Sequence, residues 1–154
     1  MTERLKLEKT VYIKNKRAGF EYHILDKFTA GIVLKGTEIK SIRMSKVNLS
    51  DAYCYVTENA VFIKNMHISP YEKGSYLNHE PLRDRKLLLQ KKEIKKIAKA
   101  LDDQGTTLIP LSLYINDKGF AKLDIALAKG KKLYDKREDI KEKDIKRELN
   151  RSLV

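Results

Sequence analysis

The sequence has a single cysteine, Cys54, in 154 residues. That excludes an intramolecular disulfide and a cysteine cluster for zinc, and the setting "AYCYV" reads as a buried strand position rather than a nucleophile. No uninterrupted apolar run approaches the roughly 20 residues of a membrane span. The opening "MTERLKLEK" is too charged for a secretory leader. A cytoplasmic protein without a membrane partner is expected. Catalytic signatures are missing too. "AKGKK" fails as a phosphate-binding loop, because Ile125 stands where its first glycine belongs and no serine or threonine follows Lys131. His23, His67 and His79 lack metal-ligand spacing. His79 beside Glu80 is the nearest approach to acid–base chemistry, or to a ribonuclease. A turn histidine that bonds its surroundings or a phosphate is the stronger reading. No enzyme, metal or cofactor is expected.

What the chain has in excess is positive charge. Lysine and arginine number 33 against 21 acidic residues, a net charge of +12. Such an excess suits a polyanion, since cations gain affinity by releasing the counterions around phosphates. The length fits one domain, and about 125 residues ahead of a basic tail can bury a real core.

Hydropathy patterning predicts an all-β-dominated fold. Residues 1–14 are charged and unpatterned, an arm. Phe20, Tyr22 and Ile24 alternate as a strand, and "FTAGIVL" follows as a second after a turn at Leu25–Lys27. "GTEIKSIR" reads as a short helix with Thr37 as N-cap. "SDAYCYVT" and "AVFIKNM" form a hairpin about Glu58–Asn59. Residues 67–86 read as a long loop, which is commonly functional. "KEIKKIAKAL" places Ile94, Ile97, Ala98 and Leu101 on one helical face. "TTLIPLSLYIND" and "FAKLDIALA" make a hairpin about Lys118–Gly119. Six short strands with one inserted helix predict a closed or nearly closed antiparallel barrel, which removes exposed edges.

The barrel domain is expected over 1–128 and a basic tail over 129–154. The tail carries ten cations and six anions, with favourable spacing from Asp139 to Lys143 and from Glu142 to Lys146. Leu133, Ile140, Ile145 and Leu149 are too sparse to form a stripe. Ordering costs about 1–2 kcal/mol per backbone residue, so the tail is expected to be unstructured alone and helical when docked.

Two segments are candidates for RNA contact. "NKRAGFEY" gathers Asn15, Lys16, Arg17 and Tyr22 at the mouth of the first strand, cations beside rings that can stack on unpaired bases. "PLRDRKLLLQKK" places Arg83, Arg85, Lys86, Lys91 and Lys92 around an apolar anchor, and Asn78 and His79 just ahead of it are candidates as well. Substituting Asn15 and Arg17 is expected to weaken RNA binding with little change in stability.

"NKRAGFEY", "AGIVLKGTEIKSIR", "HISPY", "NHEPLRDRKLLL" and "GKKLYDKRE" stand in the order and spacing of the SsrA-binding proteins, also called small protein B. The resemblance covers essentially 13–150. It implies an oligonucleotide-binding-type barrel that grips the tRNA-like domain of transfer-messenger RNA. It also implies alanyl charging of that RNA by alanyl-tRNA synthetase, delivery with elongation factor Tu, and rescue of stalled 70S ribosomes by trans-translation. Asn15, Tyr22 and Leu88 correspond to RNA-surface positions of the family. Thr29 falls where the family has an RNA-proximal glutamate, a departure. The tail motif maps onto Gly130, Lys131, Lys132, Asp135, Lys136 and Arg137, with Tyr134 where some relatives have histidine. The resemblance further implies a tail that enters the decoding centre, against its ribosomal RNA, and the empty messenger channel. The protein would act as a monomer on its RNA, with Gly130 as the hinge between barrel and tail. The competing expectation is a structural RNA-binding protein of the ribosome or of its assembly.

Overall fold

The computed structural model describes residues 11–74, 77–131, 137 and 140–147. In chain order the elements are β1 (Tyr12–Lys14), α1 (Ala18–Glu21), β2 (Tyr22–Ile32), α2 (Gly36–Arg43), β3 (Val47–Asn48), β4 (Tyr53–Thr57), β5 (Ala60–Lys64), β6 (His67–Ile68), β7 (Arg85–Leu88), α3 (Lys91–Leu101), β8 (Thr106–Ile115) and β9 (Ala121–Gly130). The strands β8, β4, β5, β7, β2 and β9 hydrogen-bond in that order, and β9 returns to β8, so six antiparallel strands close a ring. Strand β1 pairs with β8 through Tyr12↔Tyr114 and Lys14↔Ser112, beyond the point where β4 leaves it.

The expected six-strand barrel is present, but two strands differ in identity. The "YHI" of the first segment and the "FTAGI" of the second lie in one strand, β2, not a hairpin, and Phe20, expected in the first strand, is in α1. A bulge between Ile24 and Asp26 shifts its register against β9 and leaves Leu25 exposed, which in the sequence mimics a turn. The sixth strand is β7, inside what read as the end of a loop. It lies between β5 and β2, through Ile63↔Arg85 and Gly31↔Leu88. The arm is shorter than expected: residues 12–14 are β1 and Val11 is buried, while 1–10 lie outside the described residues. Strand β9 runs on through Lys129 and Gly130, which pair with His23 and Tyr22. The barrel therefore ends after 128.

Alternation along the strands sends Phe28, Ala30, Ile63, Leu87, Leu123 and Ile125 into one core. Helix α3 closes it with Ile97, fully buried, while Lys92, Lys95 and Lys99 stay outside. Its start is secured by Glu93, whose carboxylate accepts the Gln90 N–H at 3.0 Å. Helix α2 starts in the same way, with Lys35 rather than Thr37 at the cap. Both anticipated tight turns are present. Glu58 and Asn59 take φ of 47° and 64°, and Gly119 takes 85°, left-handed values that suit a two-residue hairpin at Glu58–Asn59 and a glycine at 119. Cys54 is buried, and burial pushes its thiol far above its usual range; a thiolate nucleophile there is disfavoured.

Residues 137 and 140–147 of the tail are helical. Helix is the conformation expected of the tail when docked. Ile140 and Ile145 remain about half exposed, so this helix recovers little apolar burial to offset its ordering.

Candidate nucleic-acid interface

The cation-rich segment 78–88 divides into residues that build the fold and residues that face out. Glu38, on the first turn of α2, is fully buried. Its carboxylate accepts the Lys35 N–H at 2.8 Å, Arg83 Nη2 at 2.6 Å and the Nε of Arg85. Arg85 is fully buried too, and donates to the carbonyls of Met66 (2.7 Å), Pro81 (3.3 Å) and Glu80 (3.4 Å). Burial opposes the charge on Glu38, but the hydrogen bonds from Arg83, the Lys35 backbone and Arg85 outweigh it and hold the carboxyl below its ordinary value.

The segment's amide and histidine are committed in the same way. Asn78 brackets Tyr71, accepting its N–H at 3.0 Å and donating to its carbonyl. Gly74 lies against that amide, since a Cβ there would stand 2.6 Å from Asn78 Nδ2. His79 is buried; Nε2 donates to the Ile68 carbonyl (2.9 Å) and Nδ1 pairs with the Thr37 hydroxyl (2.9 Å). Arg85 and His79, expected at the RNA surface, therefore have no exposed group to offer it. Arg83 is partly exposed but tied to Glu38. Lys86 and Leu88 project outward. Residue type made these cations look like ligands, and only burial separates the two kinds.

At the other end of β2 the NKR segment turns into α1. Asn15 was expected on the surface and is 6% exposed. Its Nδ2 donates to the Pro110 carbonyl at 2.9 Å, and its Oδ1 accepts the Arg17 N–H at 3.2 Å. Asn15→Ala is therefore expected to cost about 1–3 kcal/mol, because it strands a buried carbonyl. A lower urea midpoint for that variant checks this, and it replaces the expectation of unchanged stability. Arg17 is exposed, paired with Glu21 at 2.7 Å and Asp51 at 3.1 Å. Such surface pairs are worth little and yield readily to a phosphate. Lys16 is exposed, whereas Tyr22 is half-buried beside Ala18 and Ala128.

The tail begins against this same end. The Lys131 N–H donates to the Glu21 carbonyl at 2.7 Å, and its Nζ reaches the Gly19 carbonyl at 2.9 Å. A cavity of about 420 Å³ separates Lys14, Lys16, Phe20 and Lys131 from Lys143 and Lys146 of the tail helix. Arg137 is exposed; Lys132, Tyr134, Asp135 and Lys136 lie outside the described residues.

The second outward surface is centred on Gly31. Gly31 pairs with Leu88 on one side and Lys122 on the other. An added Cβ would come within 3.4 Å of Leu88 Cβ, so the glycine seats that exposed leucine closely. Two residues earlier Thr29 pairs with Asp124, donating its hydroxyl to the carboxylate at 3.0 Å, and Ser112 approaches the other oxygen at 3.3 Å. Sequence reasoning missed Asp124, because only the strand register puts a carboxylate beside Thr29. Along an extended strand, Tyr22 and Gly31 stand about 30 Å apart. The two candidate segments thus form two surfaces rather than one.

Among the described residues there is no cluster that could hold a metal ion, and no helix is long and apolar enough to cross a membrane. The SmpB protein family model matches residues 12–154. An SsrA-binding protein of Cytophaga hutchinsonii is 59% identical over 143 residues, covering 93% of this chain and 94% of that one. One from Bacteroides thetaiotaomicron is 58% identical, covering 92% and 95%. A solved structure described as "tmRNA-SmpB: a journey to the center of the bacterial ribosome" is 41% identical with a TM-score of 0.70, over 84% of this chain and 94% of that chain. With the family model spanning the barrel and the tail alike, and relatives above half identity over nearly their whole lengths, this chain belongs to the SmpB family of SsrA-binding proteins.

Proposed function

We propose that this protein binds transfer-messenger RNA at its tRNA-like domain and brings it to stalled ribosomes, without catalysing a reaction itself. The observation that carries the reading is the separation of two outward surfaces at opposite ends of β2. The Gly31 surface, with Thr29, Lys86, Leu88 and Lys122, belongs to the rigid barrel and suits a folded RNA. The Tyr22 end carries Lys16 and Arg17 and passes directly into the basic tail. Family membership supports the RNA, and the likeness to a tmRNA-SmpB structure supports the ribosome as the destination. The cytoplasm is where such a task is carried out.

The tail completes the mechanism. A cationic helix suits a channel lined with phosphates, and it is excluded wherever intact messenger fills that channel. Residues 132–154 would then report a vacant messenger path at the decoding centre, while the barrel and its RNA occupy the place of a whole tRNA. Elongation factor Tu and alanyl-tRNA synthetase would meet the protein through the RNA. The barrel's part is tested by titrating full-length protein into labelled tRNA-like domain, with an equal-length fragment of ribosomal RNA as competitor. Binding that the competitor displaces only in large excess is expected; equal displacement would sink the proposal.

A further inference from the structure

Strand register lines up Tyr12, Tyr114, Lys122 and Gly31 as one row across four neighbouring strands, β1, β8, β9 and β2. The rings of Tyr12 and Tyr114 are stacked, with centroids 6.4 Å apart and planes at 22°. Cross-strand aromatic pairs stabilise sheets, but such a pair has no need of solvent-open rings. Tyr12 is 62% exposed, and Phe120, just before β9 and two residues from Lys122, is 63% exposed. Among the described residues these are the two aromatic rings most open to water. Lys14 and Lys122 flank the patch, and Asp124, held by the Thr29 and Ser112 hydroxyls, lies in the next row. Burial and the nearby Asp124 carboxylate raise the Tyr114 phenol above its ordinary value, which keeps this ring neutral.

We infer that Tyr12, Tyr114 and Phe120 form a stacking platform for an unpaired nucleotide of the RNA that the barrel binds. The inference rests on the RNA-binding reading of this chain. Each part of a nucleotide has a complement here. An unpaired base presents a π-face that an exposed ring covers, which is how single-stranded and loop RNA is commonly held. Its phosphates have Lys14 and Lys122. The Asp124 carboxylate can accept from an exocyclic amino group, favouring cytosine, adenine or guanine over uracil. Through Lys122 and Gly31 the platform is continuous with Leu88, so one RNA can span both.

The test compares full-length wild-type protein with Tyr12→Leu/Phe120→Leu, using the tRNA-like domain of transfer-messenger RNA as the probe. Leucine keeps an apolar strand residue but removes the π-face. Phe120→Leu alone, outside the strand ladder, serves should the double variant fail to fold. Affinity is expected to fall about 5- to 150-fold for each base that loses its stack, with an unchanged slope of log affinity against log salt, because no phosphate contact is removed. Tight wild-type binding that the leucine variants match overturns the platform alone. Failure of the wild type to prefer this RNA overturns the underlying reading instead.

Discussion

Glu38→Ala is expected to destabilise the protein by about 3–5 kcal/mol, the usual consequence of leaving a buried charge without its partner. The orphan would be Arg85, which has no exposure and whose guanidinium keeps its charge at any pH a folded protein meets. Against a total stability of about 5–15 kcal/mol, such a loss is large. A urea midpoint that falls without a change in slope reports it. A buried pair can often be exchanged for apolar residues at little cost, but here the exchange is resisted. Arg85 also satisfies the carbonyls of Met66, Glu80 and Pro81, and each acceptor stranded in the interior adds about 1–3 kcal/mol. Glu38→Leu with Arg85→Met should therefore recover only part of the loss. A double variant as stable as the wild type would show that these loop carbonyls do not depend on Arg85.

The same carboxylate gives stability a direction with pH. Its folded-state value lies below its ordinary one, so its contribution is complete above the ordinary carboxylate range and is lost as pH falls through the depressed value. The wild type should weaken on acidification through this window. Glu38→Gln, which has no such group, should show a shallower fall.

Removing 132–154 is expected to leave affinity for the tRNA-like domain within about threefold of wild type, a change of less than about 1 kcal/mol. Peptide tagging on stalled ribosomes should fall to background. The break is placed after Lys131 because Gly130 still pairs with Tyr22, and the Lys131 backbone still binds Glu21. A cut before Gly130 would fray the barrel and confuse the two effects. Independence is expected because the Gly31 surface lies at the far end of β2, and because Ile140 and Ile145 bury little against the barrel. Gel shift and tagging on one preparation decide the matter. Loss of both activities together would merge barrel and tail into a single RNA-binding unit.

Much of the fold was legible because turns and alternation leave strong local marks. Glu58–Asn59 and Lys118–Gly119 announced their hairpins, and the Ile94–Ile97–Leu101 spacing announced α3. The bulge at Leu25 was not legible, since a skipped residue and a turn break alternation alike. Strand β7 hid behind Arg85, a residue type rarely found fully buried and one that becomes intelligible only beside Glu38, 47 positions earlier. The site was half legible for the same reason. Lys86, Leu88 and Thr29 face outward as expected, whereas Asn15, His79 and Arg85 are chemically suited to RNA but are consumed by the backbone carbonyls of Pro110, Ile68 and Met66. Sequence shows which groups could bind a phosphate, but only packing shows which remain available.

The most direct test of the central claim is the identity of the RNA that stays with the full-length protein when it is purified from its own cells in low salt. Transfer-messenger RNA in near-stoichiometric amount is the predicted result. Ribosomal RNA in its place would contradict the account and make the barrel and tail clamps of the ribosome itself.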